Sequence, residues 1–332
     1  MGAASKIRKV LKWVLGIFVL LFIVFFYGVV PRFLVGIITR PNFHFHDQND
    51  NKTPKDFGMD YQAVEFQSTD GVLLKGWYVP AGSADNSALA RGTIVYCHGL
   101  NRSRVEMLPE AAFAHKLGFN GVLFDLRHQG QSGGAIATVG YQERHDVEGA
   151  INFALTQEKA QQPVIVWGVS MGAAAALMAA AETPDVAGVI SDSTFLNFRE
   201  LVRHHYWLFL SLVRRQWWWF PQLPAFPLAD EVMYWTAARG HFKVADFDLE
   251  RAVKEINPRP VLFVAVEGDQ RMPPWYAQTL YADSDSPKKA ILIVGGSRHG
   301  EGFTYATKQY GDAVKQFLGS LAPPSPAVST GR

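Results

Sequence analysis

Between about residues 61 and 321 the chain alternates short apolar runs with longer segments of helical periodicity. The runs cover residues 93–97, 121–126, 164–168, 187–191, 261–266 and 290–294. Each has the length and content of a strand buried on both faces. Helical segments at 105–117, 142–158, 173–182, 274–281 and 305–321 lie between or after them. Ahead of the series, residues 63–68 and 73–79 flank Asp70-Gly71, a hairpin signal. A hairpin followed by βα repeats can pack only as a mostly parallel sheet with helices on both faces. In such a sheet a ligand site lies beyond the carboxyl ends of the strands.

Residues 193–258 break the alternation. They are dense in aromatics, including Phe195, Phe198, Tyr206, Trp207, Trp217, Trp218, Trp219, Phe226 and Trp235. This stretch reads as a helical cap inserted between two strands. Trp217-Trp218-Trp219-Phe220 fits either a buried cap core or an aromatic belt at a membrane interface.

The N-terminus carries a second signal. Residues 13–30 hold no charge, and as a helix they would span about 27 Å, close to the hydrocarbon thickness of a bilayer. Pro31 and Arg32 are expected to interrupt this helix before the apolar residues 33–38. No small-residue cleavage site follows, so an uncleaved anchor is expected rather than a signal peptide. Lys6, Arg8, Lys9 and Lys12 precede the span, against Arg32 and Arg40 after it. The positive-inside rule then leaves the N-terminus cytoplasmic and the globular part outside the cytoplasm. The expected organisation is a stub and anchor (1–40), a solvated linker (41–60), the globular domain (61–321, with the cap at 193–258) and a disordered Pro/Ser/Ala tail (322–332).

Composition narrows the partners. With 48% hydrophobic residues and a net charge of +2, the chain is neither disordered nor marked for nucleic acid. One cysteine excludes an internal disulfide. His44 and His46 stand close in sequence, but no Cys or carboxylate cluster completes a metal site around them. The sequence leaves the oligomeric state open.

The chemistry concentrates after the strands. Gly168-Val169-Ser170-Met171-Gly172 follows a strand and opens an Ala-rich helix, the strand–turn–helix setting of a nucleophile elbow. A side chain at Gly168 or Gly172 would collide with the neighbouring helix or strand. Ser170 would sit at a helix N-terminus, which favours developing negative charge. A serine hydroxyl needs a base, and His299, in a glycine-rich turn after the last strand, has the right order and place. The acid should follow the strand at 261–266. Asp269 does so, with Glu267 and Asp192 as rivals. Backbone donors for an oxyanion are expected at Met171 and at Leu100, in the His98-Gly99-Leu100 turn. His98 precedes the nucleophile and reads as structural, Cys97 as core, and the 125–132 loop as a structural rim.

With these motifs in view, the chain resembles α/β-hydrolases of the bacterial membrane-anchored serine hydrolase type, similar to monoglyceride lipases, serine aminopeptidase-like hydrolases and acyl thioesterases. The resemblance rests on Ser68-Thr69-Asp70-Gly71, Gly76 to Pro80, His98-Gly99, Asp125-Leu126-Arg127, Gly130-Gln131-Ser132, the Ser170 elbow, Asp192-Ser193, Asp269 to Pro273 and His299-Gly300. It implies Ser170 as nucleophile, Asp269 as acid and His299 as base, with no cofactor or metal. The expected partners are a small acyl ester and, through the N-terminal helix, a membrane. A peptidase, an amidase or a thioesterase on the same residues is the alternative enzyme. A silent, membrane-tethered binding protein is the non-enzyme alternative, against which the presence of all three residues weighs.

Overall fold

The computed structural model describes residues 3–40, 46–81, 90–157 and 163–321. The expected tail at 322–332 and His44 lie outside the described residues. The strands are β1 (Gln62–Gln67), β2 (Leu73–Val79), β3 (Thr93–Cys97), β4 (Asn120–Phe124), β5 (Val164–Val169), β6 (Val186–Asp192), β7 (Val261–Val266) and β8 (Lys289–Val294). They form a sheet in the order β1-β2-β4-β3-β5-β6-β7-β8. The first two strands pair antiparallel as a hairpin, β2 pairs antiparallel with β4, and all further pairings are parallel.

The helices are α1 (Ala3–Val24), α2 (Val30–Thr39), α3 (Leu108–Lys116), α4 (Glu143–Thr156), α5 (Met171–Glu182), α6 (Phe198–Gln216), α7 (Leu228–Arg239), α8 (Leu249–Glu255), α9 (Pro274–Asp283), α10 (Gly302–Tyr305) and α11 (Thr307–Gly319). The continuous apolar runs have their physical reason here: every residue of β3, β4, β5 and β7 is buried, because apolar clusters cover both sheet faces. One cluster gathers the alanines of α5 with Val147, Ile151 and Phe263; the other gathers Ile94, Trp167, Tyr310 and Phe317. Alanine along α5 lets that helix lie close on the sheet, and Met171 through Ala180 are all buried.

Pro31 does not end the N-terminal helix. A single apolar helix runs from Ser5 to Thr39, with a π-helical turn at Phe25–Val29 directly ahead of the proline. Proline removes a backbone donor and crowds the carbonyl one turn back. The widened turn absorbs that misfit: the Val30 N–H donates to the Phe25 carbonyl, five residues back. The Arg32 guanidinium donates to the Gly28 carbonyl at 2.8 Å.

The two ends of this helix differ. From Ile7 to Phe25 the large side chains are exposed, whereas Pro31, Val35 and Thr39 are buried. The second half packs along α7, and Val35 joins Tyr206, Leu210, Leu228 and Val232 in a third apolar cluster. Thr39 is fixed by three bonds: its Oγ1 donates to the Val35 carbonyl at 2.7 Å, accepts from Arg239 Nη1 at 3.0 Å, and its carbonyl accepts from the Ala137 N–H at 2.8 Å.

Two expectations about surroundings change. Within 193–258, α6 and α7 form the cover over the strand ends, while α8 packs against α5 in the main core. Residues 46–60 are not a free linker: Asp47, Asn49 and Met59 are buried, and Arg102 donates to the His46 carbonyl at 2.7 Å.

Candidate active site

Ser170 sits in the turn between β5 and α5 with φ 56° and ψ −117°, a backbone region that a non-glycine residue occupies only where the surroundings enforce it. The surroundings are the two flanking glycines. A Cβ on Gly168 would lie 2.4 Å from the Gly172 carbonyl oxygen, and one on Gly172 would lie 2.2 Å from that of Cys97. The Ser170 N–H donates to the Asp192 carbonyl at 2.8 Å, which ties the elbow to β6. The side chain is thereby lifted above the sheet, at the N-terminus of a buried helix.

His299 and Asp269 converge on it. His299 Nε2 lies 2.8 Å from Ser170 Oγ, and its Nδ1 lies 2.6 Å from Asp269 Oδ2. Asp269 is buried, and its other oxygen accepts from the N–H groups of Arg271 (2.8 Å) and Met272 (3.1 Å). Burial opposes the charge on Asp269, but the bond and charge of His299 and the two amides outweigh it and hold its pKa below the usual carboxylate value. The rivals stand elsewhere. Asp192 is buried and accepts from Ser193 Oγ (2.7 Å) and Tyr310 OH (3.0 Å), and Glu267 is exposed. Of the three carboxylates, Asp269 is the one in contact with the His299 ring.

The β3 turn closes over the serine: a Cβ on Gly99 would lie 3.6 Å from Ser170 Cβ. Two side chains hold this turn. Leu126 donates its N–H to His98 Nε2 at 3.0 Å, so Nδ1 carries the ring proton and donates to the Gly99 carbonyl at 2.8 Å. Glu106 accepts from the Gly99 N–H at 2.6 Å. Burial pushes the Glu106 carboxyl up to about 7 despite that bond and the nearby Arg102. Leu100 and Met171 both border the space in front of Ser170. The 125–132 loop is a rim built on ion pairs: Arg127 donates to Asp146 at 2.7 Å and to Asp70 at 2.6 Å, and Asp125 accepts from the Arg104 and Gln131 N–H groups. Cys97 is buried, and burial raises its thiol pKa far out of the reactive range.

Two chambers flank the serine and histidine. One, of about 400 Å³, is overwhelmingly apolar and is lined by Ser170, Met171 and Leu100, by cap residues including Phe198, and by Val30 and Leu34 of the N-terminal helix. The other, of about 310 Å³, is polar and is bounded by Asp47, Arg102, Glu106, Arg298 and His299. A small recess of about 100 Å³ over Ser170 and His299 shares residues with both. His205 lines the apolar chamber, and burial lowers its pKa to about 4, so the ring is neutral there.

A profile of the alpha/beta hydrolase fold matches residues 92–298, which contain the elbow, the β3 turn and Asp269. The chain belongs to the alpha/beta hydrolase family. Among its relatives, this hydrolase is 26% identical over 265 residues to YqkD of Bacillus subtilis, an alignment covering 79% of this chain and 81% of that one. It is 22% identical over 284 residues to the membrane protein YNL320W of Saccharomyces cerevisiae, covering 85% and 87% respectively. Among solved structures, the Pyrococcus furiosus esterase Pf2001 superposes with a TM-score of 0.66 at 21% identity, over 86% of this chain and 98% of that one. At that identity the likeness speaks for the fold.

The structural reading of His98 holds, whereas sequence reasoning missed Glu106 and the chamber wall given by the N-terminal helix. Glu106 carries no motif, and an apolar helix reads the same whether lipid or protein covers it. The buried-core reading of the tryptophan run is overturned: Trp217, Trp218 and Trp219 are 51%, 84% and 66% exposed.

Proposed function

We propose that this α/β-hydrolase is a serine hydrolase of carboxylic esters with apolar acyl groups. The observation that carries the reading is His299, bonded through one nitrogen to Ser170 and through the other to buried Asp269, at the mouth of an apolar chamber. In this scheme Ser170 Oγ attacks the ester carbonyl carbon as its proton passes to His299 Nε2. Asp269 holds the ring tautomer and balances the imidazolium. The oxyanion accepts hydrogen bonds from the N–H groups of Leu100 and Met171, a type of contact whose loss costs roughly 3 to 4 kcal/mol. His299 then protonates the departing alkoxide, leaving Ser170 acylated. A water molecule gives its proton to His299 and attacks the acyl carbon, and the carboxylic acid leaves as Ser170 recovers its proton. The apolar chamber suits the acyl chain and the polar chamber the alcohol.

The apolar helix from Ser5 to Thr39 supports a membrane anchor. Its charge bias supports a cytoplasmic N-terminus with the catalytic domain outside the cell membrane, and the exposed tryptophans support contact with the interface. A C-terminal reporter active only in the cytoplasm would refute that topology.

The test is fluorophosphonate labelling of the full chain together with hydrolysis of nitrophenyl esters. Ser170→Ala should abolish labelling and lower kcat by at least a thousandfold. Labelling that persists in Ser170→Ala would overturn the assignment.

A further inference from the structure

We propose that Phe26, Val30, Leu34 and Ile38 of the N-terminal helix form the wall that measures the acyl chain, and that the substrates are long-chain esters held in the bilayer. The inference rests on the esterase reading above and deepens it. These four residues recur every fourth position, so they share one face of the helix, and each lines the chamber that also holds Ser170. The neighbouring stripe, Pro31, Val35 and Thr39, is buried and locks the helix to the cap. The wall is therefore held at a set distance from the serine.

From Phe26 to Ile38 the face extends about 18 Å, on the order of a long acyl chain. The same helix continues without a break toward its N-terminus through Trp13 to Phe25, a stretch with no charge whose large side chains are exposed. The uncharged run 13–30 spans about 27 Å at 1.5 Å per residue, close to the hydrocarbon thickness, so Phe26 and Val30 would lie at its outer end. The chamber wall is thus continuous with the bilayer-crossing segment, and its bilayer end is marked by exposed aromatics. Phe209, which lines the chamber, is 62% exposed. Phe220, which ends the tryptophan run, packs in the cluster that Phe26 and Tyr27 join. An acyl chain lying along this face would exchange lipid contacts for similar protein contacts on its way to Ser170.

The experiment uses the full chain in phosphatidylcholine nanodiscs and reads kcat/KM for a series of nitrophenyl esters from butyrate through myristate to stearate. Leu34→Trp, which fills the chamber, should lower the myristate-to-butyrate ratio at least tenfold. Leu34→Ala, which enlarges it, should move the optimum to longer chains. Phe33→Trp, on the exposed face, should leave the ratio as in the wild type. An unchanged ratio in Leu34→Trp with labelling of Ser170 intact would overturn this inference while sparing the esterase reading. Should Leu34→Trp lose labelling through misfolding, Leu34→Ala decides, and an unshifted optimum there overturns the wall. A wild-type chain that neither labels nor cleaves any ester of the series overturns both.

Discussion

The two halves of the N-terminal helix are alike in composition and opposite in surroundings. Leu15, Phe18 and Leu21 are more than half exposed, whereas Val35, one helix further on, is 2% exposed against α6 and α7. Hydropathy registers both as one apolar run. What separates them is burial: the first half stands clear of the described domain, the second packs on the cap, and the π turn at Phe25–Val29 marks the change. One continuous apolar helix can therefore stand clear of a domain at one end and belong to its fold at the other.

The same charge should break the two halves in different ways, and this is the largest effect expected. Val35→Asp places an unpaired carboxylate in the cap cluster and should destabilise the domain by about 3 kcal/mol or more. Leu15→Asp should leave the melting temperature in detergent unchanged and instead impair membrane insertion, at about 3 kcal/mol for an acid at a helix centre. Thermal melts and membrane fractionation read the two outcomes. Equal melts for the two variants would erase the distinction between the halves.

A pH series sharpens the contrast between the wall and the floor of the site. The Glu106 carboxyl, raised to about 7 from an ordinary 4.5, binds its proton more tightly folded than unfolded. Its contribution is therefore fully favourable below about pH 4.5 and is lost as pH rises toward 7. Glu106→Gln should be more stable than the wild type at pH 8, by about 3 kcal/mol, and no more stable at pH 4.5. The same pH series on Leu34→Ala should run parallel to the wild type, since the wall carries no titrating group. A constant gap between Glu106→Gln and the wild type across the range would refute the assignment.

The smallest effect belongs to the joint between the halves. Arg32 lies 5.0 Å from the Trp235 ring centroid and bonds the Gly28 carbonyl. Arg32→Gln should cost about 0.5 to 1 kcal/mol in melts, with the ester chain-length optimum unchanged. A loss as large as that of Val35→Asp would make the joint, not the cap cluster, the main clamp.

The same contrast explains what the sequence revealed. The strands at 93–97 and 261–266 were legible to the residue because burial on both faces leaves an uninterrupted apolar run. The elbow was legible because its geometry excludes any side chain at Gly168 and Gly172. Order along the chain singled out Ser170 and His299, which the structure brings together with Asp269, but sequence alone left Asp192 and Glu267 open. Distance decides among them. Pro31 misled because a widened turn can carry a helix through proline. Glu106 was silent because its carboxylate serves a backbone N–H, and that need leaves no trace in residue type.

The three bonds at Thr39 have a mechanical consequence. Had the helix ended in a loose strap, the domain could tumble beneath its attachment point like a buoy on a rope. Fastened at Thr39 and along α7, it stands instead like a fitting bolted to a mast. With this helix as the proposed anchor, the tilt of the domain and the height of Ser170 above the lipid become properties of the fold, and the search for substrate would take place in the plane of the membrane.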